Sequence, residues 1–196
     1  MGSSVVIYKW MVIFLLAAGG LWADDVSDYR EWHEKCLSAD DAKVIDSYIA
    51  KFQAKFDTDP SDQLAKVYLG SAYTLRSAAS GWGPKKLEYL KKGGRLMDEA
   101  AGAAWDNPRV RFLRGVNGYK VPKRFKRRPV AVEDFTYLMP IAIKGGHGLK
   151  FRERQAMLYY AWRTFDEEGH KERAAEARTH CHRLDPSSWY GKEADK

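Results

Sequence analysis

Cysteine, histidine and carboxylate side chains offer the first chemistry in this chain. His180-Cys181-His182 sets three metal-capable donors in succession, and imidazole and thiolate both bind zinc or copper. Successive helical residues point about 100° apart, so three in a row do not close on one ion. Core packing is the better expectation for Cys181. The chain has no Cys-x-x-Cys-His sequence, which excludes covalent c-type haem. Glu133-Asp134 and Asp166-Glu167-Glu168 group carboxylates as acid–base work requires. They fall at expected helix starts or ends, where helix dipole and solubility account for them. No catalytic set, metal or cofactor is expected.

A second group of residues suits binding. Lys120 to Arg128 carries six positive residues around Phe125. Lys123, Arg124, Arg127 and Arg128 are the candidates for docking an acidic surface or an anionic lipid, against the plainer reading of a solvated loop. Trp82, in a glycine-flanked turn, is expected to be exposed. With Tyr73 and Tyr119 it would line a concave groove able to receive a peptide or helix. The formal net charge is +7. Only Lys9 is charged in the first 23 residues, so removing them leaves +7 − 1 = +6. A basic excess of this kind attracts acidic lipids, polyanions or acidic proteins, or serves solubility alone.

The elements that must position these residues are helical. Lys9, the apolar run Trp10 to Ala18 and Ala23 before Asp24-Asp25 form a secretory signal. The run is short of the roughly 20 residues a spanning helix needs. Residues 1–23 are thus expected to be a cleaved signal peptide, with an uncleaved membrane tether as the alternative. The mature chain would work in a periplasm or outside the cell, where nucleic acid is not an expected partner. From there apolar residues recur at spacings of three and four. Val26 to Leu37 reads as a short helix, and Asp40 or Asp41 caps the next, which Asp59-Pro60 ends. Ser61 or Asp62 caps a helix with Gly70 at its middle, where glycine costs about 1 kcal/mol and implies close approach of a neighbour. The following helix carries Gly93-Gly94, an expected weak point or kink. Pro108 starts another helix, ended at Val121-Pro122. Val130 to about Leu138 is helical, limited or kinked by Pro140. Arg152 to Phe165 and Lys171 to Leu184 form the last pair, and 187–196 reads as a polar tail.

This pattern resembles the tetratricopeptide repeat, a helix-turn-helix unit of about 34 residues that stacks into a solenoid. Counting back from Pro186, Ala161, Trp162, Phe165, Ala174 and Cys181 fall at the repeat's small and bulky positions. In the centre Leu69, Gly70 and Tyr73 match a first helix, and Ala103 and Pro108 a second-helix ending, across a longer turn. The stretch from Tyr68 through residues 111–117 to Asp134-Phe135 is also similar to exported bacterial proteins of this kind. The resemblance implies an all-α domain over 24–186, its antiparallel helix pairs stacked as a short right-handed solenoid. It further implies a non-enzymatic scaffold that presents its concave groove to a protein or peptide in the cell envelope. A small-molecule or lipid carrier, or an enzyme using the groove as a pocket, is the alternative. Export would permit a disulfide between Cys36 and Cys181, although a straight solenoid would hold the first and last helices beyond the ~7 Å that bridging allows.

Overall fold

The structure is a computed structural model and describes residues 27–196. The expected signal segment, residues 1–23, lies outside the described residues. The described residues are all-helical, with no strand among them. The helices are α1 (27–37), α2 (Ala42–Thr58), α3 (Gln63–Ala78), α4 (Pro84–Ala103) and α5 (Pro108–Lys120), a 3₁₀ turn (Lys123–Phe125), then α6 (Arg128–Lys144), α7 (Phe151–Glu167), α8 (Lys171–Leu184) and α9 (Trp189–Asp195). No described helix is long and apolar enough to cross a membrane.

Local chemistry sets most boundaries. The carboxylates of Asp41 and Asp62 accept from the amides of Lys43 and Ala65 and cap α2 and α3. Asn107 accepts from Arg109 and Val110 at the start of α5, with Pro108 in its first position. Gly70 is indeed a close approach: a Cβ there would lie 2.8 Å from the Gly93 carbonyl oxygen, and a Cβ at Gly93 2.5 Å from that of Gly70. Gly93 is therefore the other half of the α3–α4 crossing. The expected kink at Gly93-Gly94 gives way to a continuous helix. Pro140 likewise does not limit α6, which runs on to Lys144. The proline ring is exposed while Leu138, Met139 and Ala142 around it are buried, so the missing amide falls on the solvent side and apolar burial holds the helix together. The stretch expected as a polar tail contains α9. Ser188 caps it, and Gly191 and Ala194 are buried against its neighbours.

Burial divides the described residues into two cores. The first is aromatic: Tyr29, Phe52 and Tyr68 meet at centroid distances of 5.8–6.0 Å, with Phe52 and Tyr68 stacked 3° from parallel. It draws on α1 to α4. The second packs Phe135, Leu138, Met157, Phe165 and Cys181 from α6 to α8. Helix α5 serves both, giving Val110 and Leu113 to the first and Phe112 to the second. Cys36 and Cys181 are free and buried, one in each core. The disulfide allowed by the sequence does not form, and burial raises the two thiols to about 11 and about 12.

A basic-rimmed apolar cavity along α5

Helix α5 has two chemically different faces. Arg109, Phe112, Leu113, Val116, Asn117 and Lys120 recur at spacings of three and four, so they share one side. All six line a cavity of about 790 Å³. Its other walls come from α1, α3, the start of α4, the 3₁₀ turn, α7 and Tyr190 of α9. The volume falls within the ~300–1,000 Å³ of small-molecule sites. Leu75, Leu90, Phe112, Leu113, Val116 and Tyr160 make most of the wall apolar.

The polar groups in this wall are few and differ in how they are satisfied. At the inner end His33 Nε2 lies 2.7 Å from Ser71 Oγ. Burial and the nearby Arg109 charge depress the imidazole to about 4, so it is neutral at ordinary pH. A histidine this weakly basic activates a hydroxyl poorly. Ser71 lies within α3, where backbone amides are spent on the helix and none is free to stabilise an oxyanion. The pair is suited to one hydrogen bond with a ligand. Beside it both terminal nitrogens of Arg109 donate to Glu153, and Arg30 Nε stands 3.8 Å from the same carboxylate. Burial opposes ionisation of Glu153, but Arg109 outweighs it and holds the carboxyl below its usual range. Asn117 Nδ2 donates to Thr74 Oγ1 at 2.8 Å.

Toward the mouth the cations have no carboxylate partner among the described residues. Lys120 lies 5.0 Å from the Tyr160 ring centroid, Arg124 5.2 Å from that of Trp82, and Lys86 Nζ donates to the Ser80 carbonyl at 3.2 Å. Five cationic side chains (Arg30, Lys86, Arg109, Lys120 and Arg124) line the cavity against two carboxylates, Glu34 and Glu153. The lining thus carries an excess of three positive charges.

The opposite face of α5 is neutralised. Arg114 grips Asp134 with Nε at 2.8 Å and Nη2 at 2.7 Å, and Arg111 Nη1 reaches the same carboxylate at 3.0 Å. Both also meet Glu133, at 2.7 and 2.9 Å. Asp134 is fully buried, so Glu133-Asp134 is not the solubility pair the sequence suggests. The pair lies inside α6 and not at the helix start expected of it. The signal was on α5, where two arginines stand opposite an apolar face and need buried partners.

The residues proposed from sequence for partner binding separate accordingly. Trp82 and Arg124 line the cavity mouth, and Trp82 is 82% exposed. Tyr73 and Tyr119 do not line it. Tyr73 is buried beside Tyr89 and accepts from Lys92 at 2.6 Å. Tyr119 lies under the Arg128 guanidinium and against Tyr160, and it is Tyr160 that faces the cavity. Arg127 is bound to Asp98 at 2.6 and 2.8 Å. Arg128 donates to the carbonyls of Gly118 and Tyr119 and pairs with Glu167. Lys123 is exposed and shares Glu167 at 3.0 Å. In the histidine–cysteine run, Cys181 Sγ faces the carbonyls of Gln155 and Tyr190, while His182 Nδ1 meets Gly191. Among the described residues no group of three or more histidine, cysteine or acidic side chains is placed to hold a metal. No protein family, curated protein or solved structure matches the chain.

Proposed function

We propose that this protein is a non-enzymatic carrier that holds an amphipathic anion, an acyl or aromatic body bearing one acidic group, in the cavity along α5. The observation that carries this reading is the excess of positive charge in an otherwise apolar wall. An apolar body covers Phe112, Leu113 and Val116, and each ångström² removed from water contributes about 25 cal/mol. The acidic group meets Lys86, Lys120 or Arg124, none of which has a carboxylate partner among the described residues. His33 and Ser71 offer one further hydrogen bond at the inner end. The helix pairs are read as a short right-handed tetratricopeptide-like stack whose concave side holds the cavity, and export from a signal in residues 1–23 would put it in a periplasm or outside the cell. The second reading, a scaffold for a peptide or protein of the envelope, draws on the exposed Trp82, Leu37 and Leu87 at the mouth.

Titration with a fluorescent fatty-acid analogue tests the carrier. Saturable binding of one probe per chain is expected, with competition by unlabelled fatty acids and at least about tenfold weaker competition by the matching alcohols, since one charge-assisted contact contributes about 1.5–3 kcal/mol. Val116→Trp fills the cavity and should abolish binding while leaving the helical circular-dichroism signal intact. Equal competition by acid and alcohol, or full binding by Val116→Trp, would refute this use of the cavity.

A further inference from the structure

The mouth of the cavity has a chemistry distinct from its interior. Trp82 stands on the turn before α4, and Leu37 and Leu87, which line the same cavity, are 60% and 40% exposed. Solvated apolar side chains gathered around one opening mark an interaction surface. The Arg124 guanidinium lies 5.2 Å from the Trp82 ring centroid and 5.0 Å from that of Phe125. It thereby ties the turn before α4 to the 3₁₀ turn after α5. The two joined segments carry Lys85, Lys86, Lys123, Arg124 and Lys126, and the one acidic residue along 80–91 and 120–128 is Glu88. Lys85, Arg124 and Lys126 have no carboxylate partner among the described residues, while Arg127 and Arg128 are turned inward to Asp98 and Glu167.

We propose that this rim docks the protein on an anionic lipid bilayer, so that the amphipathic ligand passes between membrane and cavity without crossing open water. The inference rests on the carrier reading for its purpose and on the rim alone for its chemistry. An indole that projects from a turn suits the headgroup region, where an aromatic ring meets both hydrocarbon and water. Lysines around it supply the attraction to acidic headgroups, about 1 kcal/mol for each near the surface. Leu37 and Leu87 add apolar area that only a soft or complementary surface can cover. A ligand with a long apolar body is itself most abundant in membranes, so the rim and the cavity serve one path.

Flotation of the full chain with vesicles of phosphatidylcholine, with and without phosphatidylglycerol, tests the docking. Partitioning onto the phosphatidylglycerol vesicles should exceed that onto the neutral ones and fall with added salt. The double variant Lys85→Glu/Lys126→Glu should partition at least about tenfold less on the anionic vesicles, and neither residue lines the cavity. Residues 1–26 are common to all variants, so a local readout accompanies flotation: quenching by brominated acyl chains should be greater in the wild type than in Trp82→Phe. Equal quenching in the two proteins, or equal partitioning of the double variant, would overturn the proposal. So would an unchanged vesicle interaction with a selective loss of polyglutamate binding, which would assign the rim to acidic proteins. The acyl probe, tested without vesicles, separates the two readings. A wild type that binds probe but not vesicles keeps the carrier and loses the docking surface; one that binds vesicles through the rim but no probe does the reverse.

Discussion

The two faces of α5 carry the same kind of residue to opposite ends. On one face Arg111 and Arg114 meet Asp134 and Glu133, two charges against two. On the other, the cavity gathers five cations against two carboxylates. Burial explains the contrast. Charges withdrawn from water must be paired inside the chain, whereas cations at an open mouth keep enough solvent to go without. The net charge of the whole protein conceals this division, because the paired arginines cancel in place and only the unmatched ones remain available to something outside the fold.

The largest expected effect breaks the paired side. Asp134→Ala leaves two buried guanidiniums facing each other and should destabilise the protein by about 3–5 kcal/mol in urea denaturation. Glu133→Ala removes an exposed carboxylate from the same cluster and should cost no more than about 1 kcal/mol. Equal losses for the two variants would show that the network acts as a surface pair and that the two faces are not so different. Burial raises the Asp134 carboxyl above its usual range, and the bonds from Arg114 and Arg111 work against that rise.

A smaller effect comes from the inner end of the cavity. His33 is lowered from 6.5 to about 4 by burial and by Arg109. On α3 Ser71 and Tyr68 contact it, the Arg109 charge on α5 acts on it, and Arg30, Glu34 and Glu153 line the same cavity. The folded protein keeps this imidazole neutral where the unfolded chain protonates it. Stability is thus fully present above pH 6.5 and declines as the pH falls toward 4, by up to about 3 kcal/mol. Glu153 is held below its ordinary range by Arg109, against the opposing effect of burial. Urea midpoints measured from pH 7.5 to 4.5 should show the decline, and His33→Gln should flatten it. An equally steep decline in the variant would move the effect to the carboxylates. Next in size is the α3–α4 crossing: Gly93→Ala presses a methyl on the Gly70 carbonyl and should cost about 1–3 kcal/mol, read from the same denaturation curves.

The elements were legible where the signal is local. Asp41, Asp62 and Pro108 set helix starts through local chemistry, and Gly70 announced a close neighbour because mid-helix glycine has few other uses. What was missed depends on residues far apart in the chain. Gly93 reads as a weak point until Gly70 is known to cross it. Glu133-Asp134 reads as a solvated pair until Arg111 and Arg114, some 20 residues earlier, are seen to need it. The polar stretch after Pro186 gave no helical period long enough to reveal α9. Of the groove expected from Trp82, Tyr73 and Tyr119, only the first faces the cavity. An aromatic in a glycine turn has nowhere to hide, but a tyrosine on a helix can point to either side. The six cavity residues of α5 were present in the sequence at helical spacing. Their mixture of arginine, asparagine and lysine with apolar side chains hid the face they share.

The basic segment after α5 offers the finest version of the comparison, because paired and unpaired arginines stand three residues apart. Arg127 donates twice to Asp98 and is half-buried, with Nε lacking a partner among the described residues. Arg127→Ala should cost about 1–3 kcal/mol and leave the affinity for an acyl anion unchanged. Arg124 rests on Trp82 and Phe125 in the open. Arg124→Ala should alter stability by no more than about 0.5 kcal/mol. It should nonetheless weaken probe binding several-fold, and weaken it more at low salt than at high, because an exposed charge acts through a field that salt screens. Arg124→Lys keeps the charge but not the planar stacking on the rings, and so should recover the salt dependence while losing part of the affinity. If Arg127→Ala and Arg124→Ala prove alike in both measurements, pairing within the fold does not decide which cations serve the cavity, and the division read along α5 would not extend past its end.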